Sequence, residues 1–297
     1  MSKVTIFTPT FNRGYIIHEL YNSLLRQTVQ DFEWLIVDDG STDDTQKIVK
    51  MFISEKNIPI RYLRKENGGK HTAVNVGIKE ADGELFFIVD SDDQLIDNAI
   101  ERVLFYYSQI KENDDFAGVC GLKAYFDRQI VGGKVGFDVL DCNSLDYRYK
   151  YKIKGDKSEV FKTHILKNYS YPEIDGEKYA APGFVWNQIA CKYILRYFNE
   201  IIYLCEYLPD GLSKANVQNR MKYNKMSSLF YLQLYEMPIP LIQKIKAAVN
   251  YWRFGLCSII PLKENIKNIG LFALLLLPVG LFLHFKDKRN ASLTCNK

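Results

Sequence analysis

Apolar positions along the first hundred residues switch between two periods. Residues 4–8 form a β-branched and aromatic run ending at Pro9, the pattern of a buried strand closed by a breaker. Ile16, Ile17, Leu20, Leu24 and Leu25 then recur at helical spacing and predict a helix. The alternation repeats, with a strand over 34–38 and then a helix whose apolar face is Ile48, Met51 and Phe52. Ser41 and Asp44 mark its start with the spacing of a capping box. A third strand is predicted over 60–63, and Ala73, Val74, Gly77, Ile78 and Ala81 mark a third helix. The fully apolar run 85–89 reads as a fourth strand, buried on both faces.

This succession calls for an α/β fold with a doubly wound, mostly parallel sheet, because parallel neighbours need a crossover and the crossover is right-handed. A further strand is predicted over 119–126. The pattern is then aromatic and irregular as far as Tyr179, and helical over 186–198. Residues 269–285 are almost wholly apolar, interrupted by Pro278 and flanked by Lys263, Lys267, Lys286, Lys288 and Arg289. That run is marginal against the ~20 residues of a spanning helix, and proline kinks or breaks a helix. A membrane-embedded or interfacial hairpin is therefore ranked ahead of a buried core helix, and a single span comes third.

Composition changes this picture little. The 47% hydrophobic and 25% charged fractions are those of a globular protein. A net charge of +4, with no Lys/Arg block interleaved with aromatics, gives no ground for a nucleic-acid partner. Six scattered cysteines without a C-x-x-C suggest neither a zinc ribbon nor a disulfide framework, and fit a reducing compartment. The start of the chain runs straight into a strand pattern, so no signal peptide is expected.

The polar residues that break the pattern fall at the ends of the four strands. The first ends in Thr8, Pro9, Thr10, Phe11, Asn12 and Arg13; the second in Asp38, Asp39, Gly40 and Ser41. The third ends in Asn67, Gly68, Gly69, Lys70 and His71; the fourth in Asp90, Ser91, Asp92 and Asp93. Each alone also reads as turn or cap chemistry. Together they line the edge of an open parallel sheet where ligands bind. Asp90, Asp92 and Asp93 repel one another unless a cation neutralises them, which suits Mg²⁺ or Mn²⁺ bridging to a diphosphate. Asp38 and Asp39 are candidates for nucleotide recognition. Gly68 and Gly69 permit close backbone approach, and Lys70 offers a point charge to phosphate. The chain has no P-loop, no G-x-G-x-x-G after the first strand and no G-x-S-x-G elbow, which excludes the kinase, dinucleotide oxidoreductase and hydrolase signatures.

These four segments, in order and spacing over about the first 105 residues, resemble the family 2 glycosyltransferases of the GT-A fold. Residues 171–179 with Trp186 and Asn187, and then 207–213, resemble the acceptor half of bacterial members that build surface polysaccharides. The resemblance implies an inverting transferase that uses a UDP-sugar or similar donor and Mg²⁺ or Mn²⁺. In it, Thr8, Pro9 and Asp39 hold the base and Asp38 supports that pocket, while Asp90 with Asp92 or Asp93 holds ribose and metal. It also implies a glycan or lipid-linked acceptor. The expected domains are a GT-A domain over 1–215 (nucleotide-sugar half 1–105, acceptor half 106–215) and a helical extension over 216–297. The expected place is the cytoplasmic face of the plasma membrane, touched through 269–285.

In the family it resembles, many members carry an acidic residue just before the Trp186 helix, where this chain has Ala180, Ala181, Pro182 and Gly183. The general base is sought instead among Glu177, Asp175 and Asp93, in that order. Two rivals stand beside the transferase: a catalytically inactive nucleotide-binding scaffold and a sugar nucleotidyltransferase. The second normally carries a glycine-rich basic loop after its first strand, and Thr10, Phe11, Asn12 and Arg13 do not make one.

Overall fold

A computed structural model of the chain describes residues 3–206, 216–257 and 261–294. The chain divides into two compact units. The first holds Met1–Ser170 and Gln188–Glu206, and the second holds Tyr171–Asn187 and Tyr207–Lys297. The division is not the single cut at 215 drawn from the sequence, because residues 171–187 group with the C-terminal helices.

In the first unit the chain runs β1 (Val4–Thr10), α1 (Ile17–Leu25), β2 (Phe32–Asp38), α2 (Thr45–Glu55), β3 (Ile60–Arg64), α3 (Lys70–Glu80) and β4 (Leu85–Ile88). It continues through β5 (Gln94–Leu95), α4 (Ala99–Ser108), β6 (Phe116–Tyr125), β7 (Val139–Cys142), α5 (Ser144–Tyr149), β8 (Lys157–Lys162) and α6 (Thr163–Leu166). Helix α7 (Gly183–Ala190), which begins among the second unit's residues, leads into β9 (Ile194–Cys205). The strands form one mixed sheet in the order β3-β2-β1-β4-β8-β6-β9-β5, with β7 also paired to β9. β1 to β4 are mutually parallel, as the sequence predicts, and β8 joins antiparallel to β4.

Packing explains why these segments adopt these forms. Val4, Ile6, Trp34 and Ile36 are fully buried, in one core cluster with Ile17, Leu20 and Leu24 of α1 and with Val49 and Phe52 of α2. The Tyr21 ring stacks on Phe52 at 4.1 Å. On α3, a Cβ at Gly77 would lie 2.1 Å from the Phe7 ring, so only glycine lets the helix approach β1 this closely.

Three local expectations are corrected. Pro9 lies inside β1, which continues to Thr10. The capping box at Ser41 does not form: α2 begins at Thr45, whose backbone N–H is taken by the Asp43 carboxylate, while the Ser41 hydroxyl accepts from the Asn12 N–H. The helix predicted over 186–198 ends at Ala190, and residues 194–198 open β9. Pairing overrides the helical spacing there: β9 bonds to β6 on one side and to β7 and β5 on the other, which buries its aromatic residues.

The second unit contains residues 171–187 and helices α8 (Asn216–Lys222), α9 (Asn224–Glu236), α10 (Leu241–Gly255), α11 (Leu262–Ile269) and α12 (Leu277–Thr294), with a 3-10 segment (Leu271–Leu276) before α12. Its core gathers Ala248, Tyr251, Trp252, Ile269 and Ala273, and the Trp252 indole N–H donates to the Ala273 carbonyl. Among the described residues no single helix is long and apolar enough to cross a membrane; α11 and the apolar stretch after it meet at a 115° bend. Pro278 breaks nothing, because it sits in the first turn of α12, where its missing N–H has no helical partner to lose.

Candidate active site

The strand order places the reversal of winding between β1 and β4. The chain passes from β1 through β2 to β3 on one side and then to β4 on the other. Loops at the carboxyl ends of two such strands diverge and leave a crevice. Both loops carry charge: Arg13 follows β1, and Asp90, Asp92 and Asp93 follow β4.

The loops after β1 and β2 are stitched to each other. Asn12 adopts a left-handed backbone (φ 53°), and its side-chain oxygen accepts from the Thr42 N–H at 2.8 Å. The Arg13 N–H donates to the Thr45 hydroxyl, and the Gly14 N–H to the Asp43 carboxylate. The Arg13 side chain is thereby aimed at β4, with its guanidinium 3.9 Å from Asp92.

Asp38 and Asp39 are both buried and accept from the chain itself. Asp38 accepts from the Ser41 N–H at 2.7 Å and from the Tyr62 hydroxyl. Asp39 accepts from the Gly68 N–H (2.9 Å), the Gly69 N–H (2.7 Å), the Asn67 amide and the Lys65 ammonium (2.9 Å). One carboxylate thus fixes the glycine loop that leads into α3, and Gly69, at φ 95°, turns the chain into that helix. Thr8 likewise faces the core, where its hydroxyl accepts from the Trp34 indole at 2.8 Å. Thr10 differs: its hydroxyl is buried at the strand end and has no hydrogen-bond partner among the described residues. A buried hydroxyl without a partner is costly, and its place on this edge leaves it available to a ligand.

The fourth strand end is the most charged. Lys70, the first residue of α3, sets its ammonium 2.6–2.7 Å from both oxygens of Asp90. Burial acts to raise the Asp90 pKa, yet Lys70, with Lys123 and Arg13 farther off, holds it below the ordinary value. Burial acts to lower the Lys70 pKa, but the carboxylates facing it hold it above its ordinary value. Asp92 and Asp93 are raised, first by burial and then by the Asp90 charge, and Asp93 is pushed up to about 7. Asp93 accepts from the Tyr203 hydroxyl at 2.6 Å.

Three half-buried or buried carboxylates in one turn are hard oxygen donors of the kind Mg²⁺ and Mn²⁺ take. Among the described residues no three acidic, His or Cys side chains converge into a complete cage. The donor set therefore fits a cation held by one or two carboxylates and completed by phosphate oxygens.

The remaining candidates belong to the second unit. Asp175 is exposed beside Gly176, whose φ is 76°. Glu177 is buried, and its carboxylate accepts from the backbone N–H of Met226 at 3.0 Å and of Lys225 at 3.4 Å in the first turn of α9. Its charge lies where the helix dipole favours an anion. The resembling segment 207–213 lies outside the described residues.

The family model of glycosyl transferase family 2 matches residues 5–134. This segment is a family 2 glycosyltransferase domain. The chain is 31% identical over 177 residues to the poly(ribitol-phosphate) beta-N-acetylglucosaminyltransferase TarP of Staphylococcus aureus, a match covering 56% of this chain and 52% of TarP. It is 39% identical over 170 residues to TarS of the same organism, covering 57% of this chain and 29% of TarS. The chain thus spans about half the length of TarP and less of TarS. The crystal structure of TarS 1–349 with UDP-GlcNAc superposes with a TM-score of 0.64 at 18% identity, over 97% of this chain and 89% of that one. The mannosyltransferase PcManGT of Pyrobaculum calidifontis, solved with GDP-Man and Mn²⁺, superposes at 0.59 with 16% identity, over 95% of this chain and 80% of that one. The fold is the α/β GT-A fold.

The sequence missed Lys65 and Tyr203, and quoted Asn67 without giving it a role. Lys65 and Asn67 lie just after β3, in or beside a quoted motif, so a search of all polar residues after each strand finds them. Tyr203 has no local signal, because it stands 110 residues from its partner Asp93.

Proposed function

We propose that the chain transfers a sugar, with inversion, from a nucleoside-diphosphate sugar to a glycan or lipid-linked acceptor in bacterial cell-envelope polysaccharide synthesis. The observation that carries this reading is the pairing, at the β1–β4 switch point, of Arg13 with Asp92 and of Lys70 with Asp90. That pairing of cations and carboxylates suits a metal-bound diphosphate. A UDP-sugar is the proposed donor, by likeness to TarS, and Mg²⁺ or Mn²⁺ the proposed ion. Asp90 with Asp92 or Asp93 would hold it, and it would supply charge neutralisation of the departing diphosphate.

The rest of the chemistry falls to the chain. Arg13 and Lys70 bind the diphosphate as charged donors and stabilise negative charge as the glycosidic bond breaks. Asp39 keeps the Gly68–Gly69 loop open for close approach, with Asp38 bracing the turn beside it; Pro9, Thr10 and Asn12 present the β1 end to the nucleoside. A carboxylate must take the acceptor's hydroxyl proton. Glu177 is committed to α9, so we place exposed Asp175 before it, and Asp93 after both because its oxygen is engaged by Tyr203. Membrane contact is proposed through 269–285, at the cytoplasmic face. Leu271, Phe272, Leu275, Val279, Phe282 and Phe285 are exposed there, with Phe272 87% exposed, and Lys263, Lys267, Lys286, Lys288 and Arg289 are exposed around them. An interfacial helix combines these two features.

The test is Asp92→Ala. Its side chain supports no core contact, so the melting temperature should hold while metal-dependent sugar transfer disappears. Near-normal transfer by the variant would contradict the reading, and binding of UDP without any transfer by the wild-type chain would favour the inactive scaffold.

A further inference from the structure

The carboxylates after β4 do not stand unsupported. Tyr203, on β9, is fully buried, and its hydroxyl reaches across to them. It donates to Asp93 at 2.6 Å and accepts from the Asp90 backbone N–H at 3.0 Å. The turn itself is closed by the Asp93 N–H donating to the Asp90 carbonyl. One phenolic oxygen therefore fixes both ends of the four-residue segment that carries all three carboxylates.

The ring is held as firmly as the hydroxyl. Leu95, two residues past Asp93, pairs with Tyr203 in the β5–β9 ladder, so the chain returns to the same strand straight after the turn. On the β6 side the ammonium of Lys123 lies 4.0 Å from the ring centroid, and Lys123 is Tyr203's register partner in β6. A cation over a ring attracts it electrostatically and opposes tilting. The Tyr203 hydroxyl is spent on the Asp90–Asp93 segment.

We infer that Tyr203, with Lys123 stacked on it, is a positioning residue for the metal–diphosphate site, setting the orientation of Asp93 and of the Asp90 backbone. This rests on the functional reading above. Hydrogen-bond partners behind metal-binding side chains are worth 10- to 100-fold in metal affinity, because they fix the orientation of the ligand atoms. Tyr203→Phe keeps the ring, its packing and the cation above it, and removes only the hydroxyl.

The experiment compares wild type and Tyr203→Phe in two titrations of the full chain. UDP is titrated by calorimetry without metal, and Mn²⁺ is titrated by electron paramagnetic resonance with UDP present. The variant should bind metal-free UDP within about twofold of wild type and Mn²⁺ about tenfold more weakly. A purely structural role would lower the melting temperature without separating the two affinities. Equal Mn²⁺ affinity in a folded variant would overturn the inference, whereas a wild-type chain that binds neither UDP nor Mn²⁺ would instead overturn the functional reading. If Tyr203→Phe does not fold, Asp93→Asn takes its place, since it keeps the side chain's shape and the acceptor for the hydroxyl. Tyr203 acts through Asp93, so Asp93→Asn must by itself weaken Mn²⁺ binding about tenfold, and an unchanged affinity would overturn the inference.

Discussion

Two threonines two residues apart on β1 separate structure from function. Thr8 and Thr10 both lie at the end of β1, yet Thr8 satisfies Trp34 while Thr10 has no hydrogen-bond partner among the described residues. Thr8→Val should destabilise the fold by about 1–3 kcal/mol, the cost of leaving a buried indole N–H unpaired, with little effect on donor affinity. Thr10→Val removes a hydroxyl that is already unpaired, so stability should hold or rise while donor affinity falls. Thermal melts and calorimetry on both variants check this, and equal loss of donor affinity in both would return Thr8 to the nucleotide pocket. The sequence showed that both threonines stand at the edge but not which way each is used, because the deciding partner, Trp34, sits on another strand. Asp39 is a similar case. Its acidity and place were legible, but its four donors arrive from residues 65–69, so it reads as a ligand until the loop is folded around it.

At the scale of elements, the parallel strands were legible because each is a short apolar run bounded by polar punctuation. β9 was not, because a strand paired on both edges and packed on both faces loses its alternation, and its aromatic run imitated a helix. β9 also carries Glu200, which receives both guanidinium donors of Arg102 on α4 at 2.6 and 2.8 Å and the Tyr106 hydroxyl at 2.7 Å. Arg102 lowers the Glu200 pKa below its ordinary 4.5. The unfolded chain therefore takes up this proton first as pH falls, and the stability Glu200 contributes is full above about pH 4.5 and lost as pH falls through the lowered folded value. Glu200→Gln should accordingly melt below wild type near neutral pH, with the gap closing in acid; a gap independent of pH would remove the ion pair from the account. On α12, a Cβ at Gly280 would lie 2.4 Å from the Trp252 Cβ. Gly280→Ala should destabilise the second unit by about 1–3 kcal/mol through overpacking, read as a lower melting temperature.

For the whole molecule, the apolar segment 269–285 has a structural part beside its proposed membrane contact. Ala273 and its neighbours close the core over Trp252, so deleting the segment would expose that core and confuse unfolding with release from lipid. Leu275→Glu with Phe282→Glu changes only exposed positions, and should abolish sedimentation with vesicles containing anionic lipid while leaving the melting temperature unchanged. Persistent sedimentation would move membrane contact to another surface.

The central claim is that the edge carrying Arg13, Lys70, Asp90 and Asp92 activates a nucleoside-diphosphate sugar with the help of a divalent ion. The most direct measurement is nucleotide release by the full chain from a panel of UDP-, GDP- and other nucleotide-sugars, with Mn²⁺ or Mg²⁺ and again with EDTA. The account predicts release from at least one donor, a UDP-sugar first, that EDTA abolishes and added metal restores. Release that survives EDTA, or none from any donor with metal present, would contradict it.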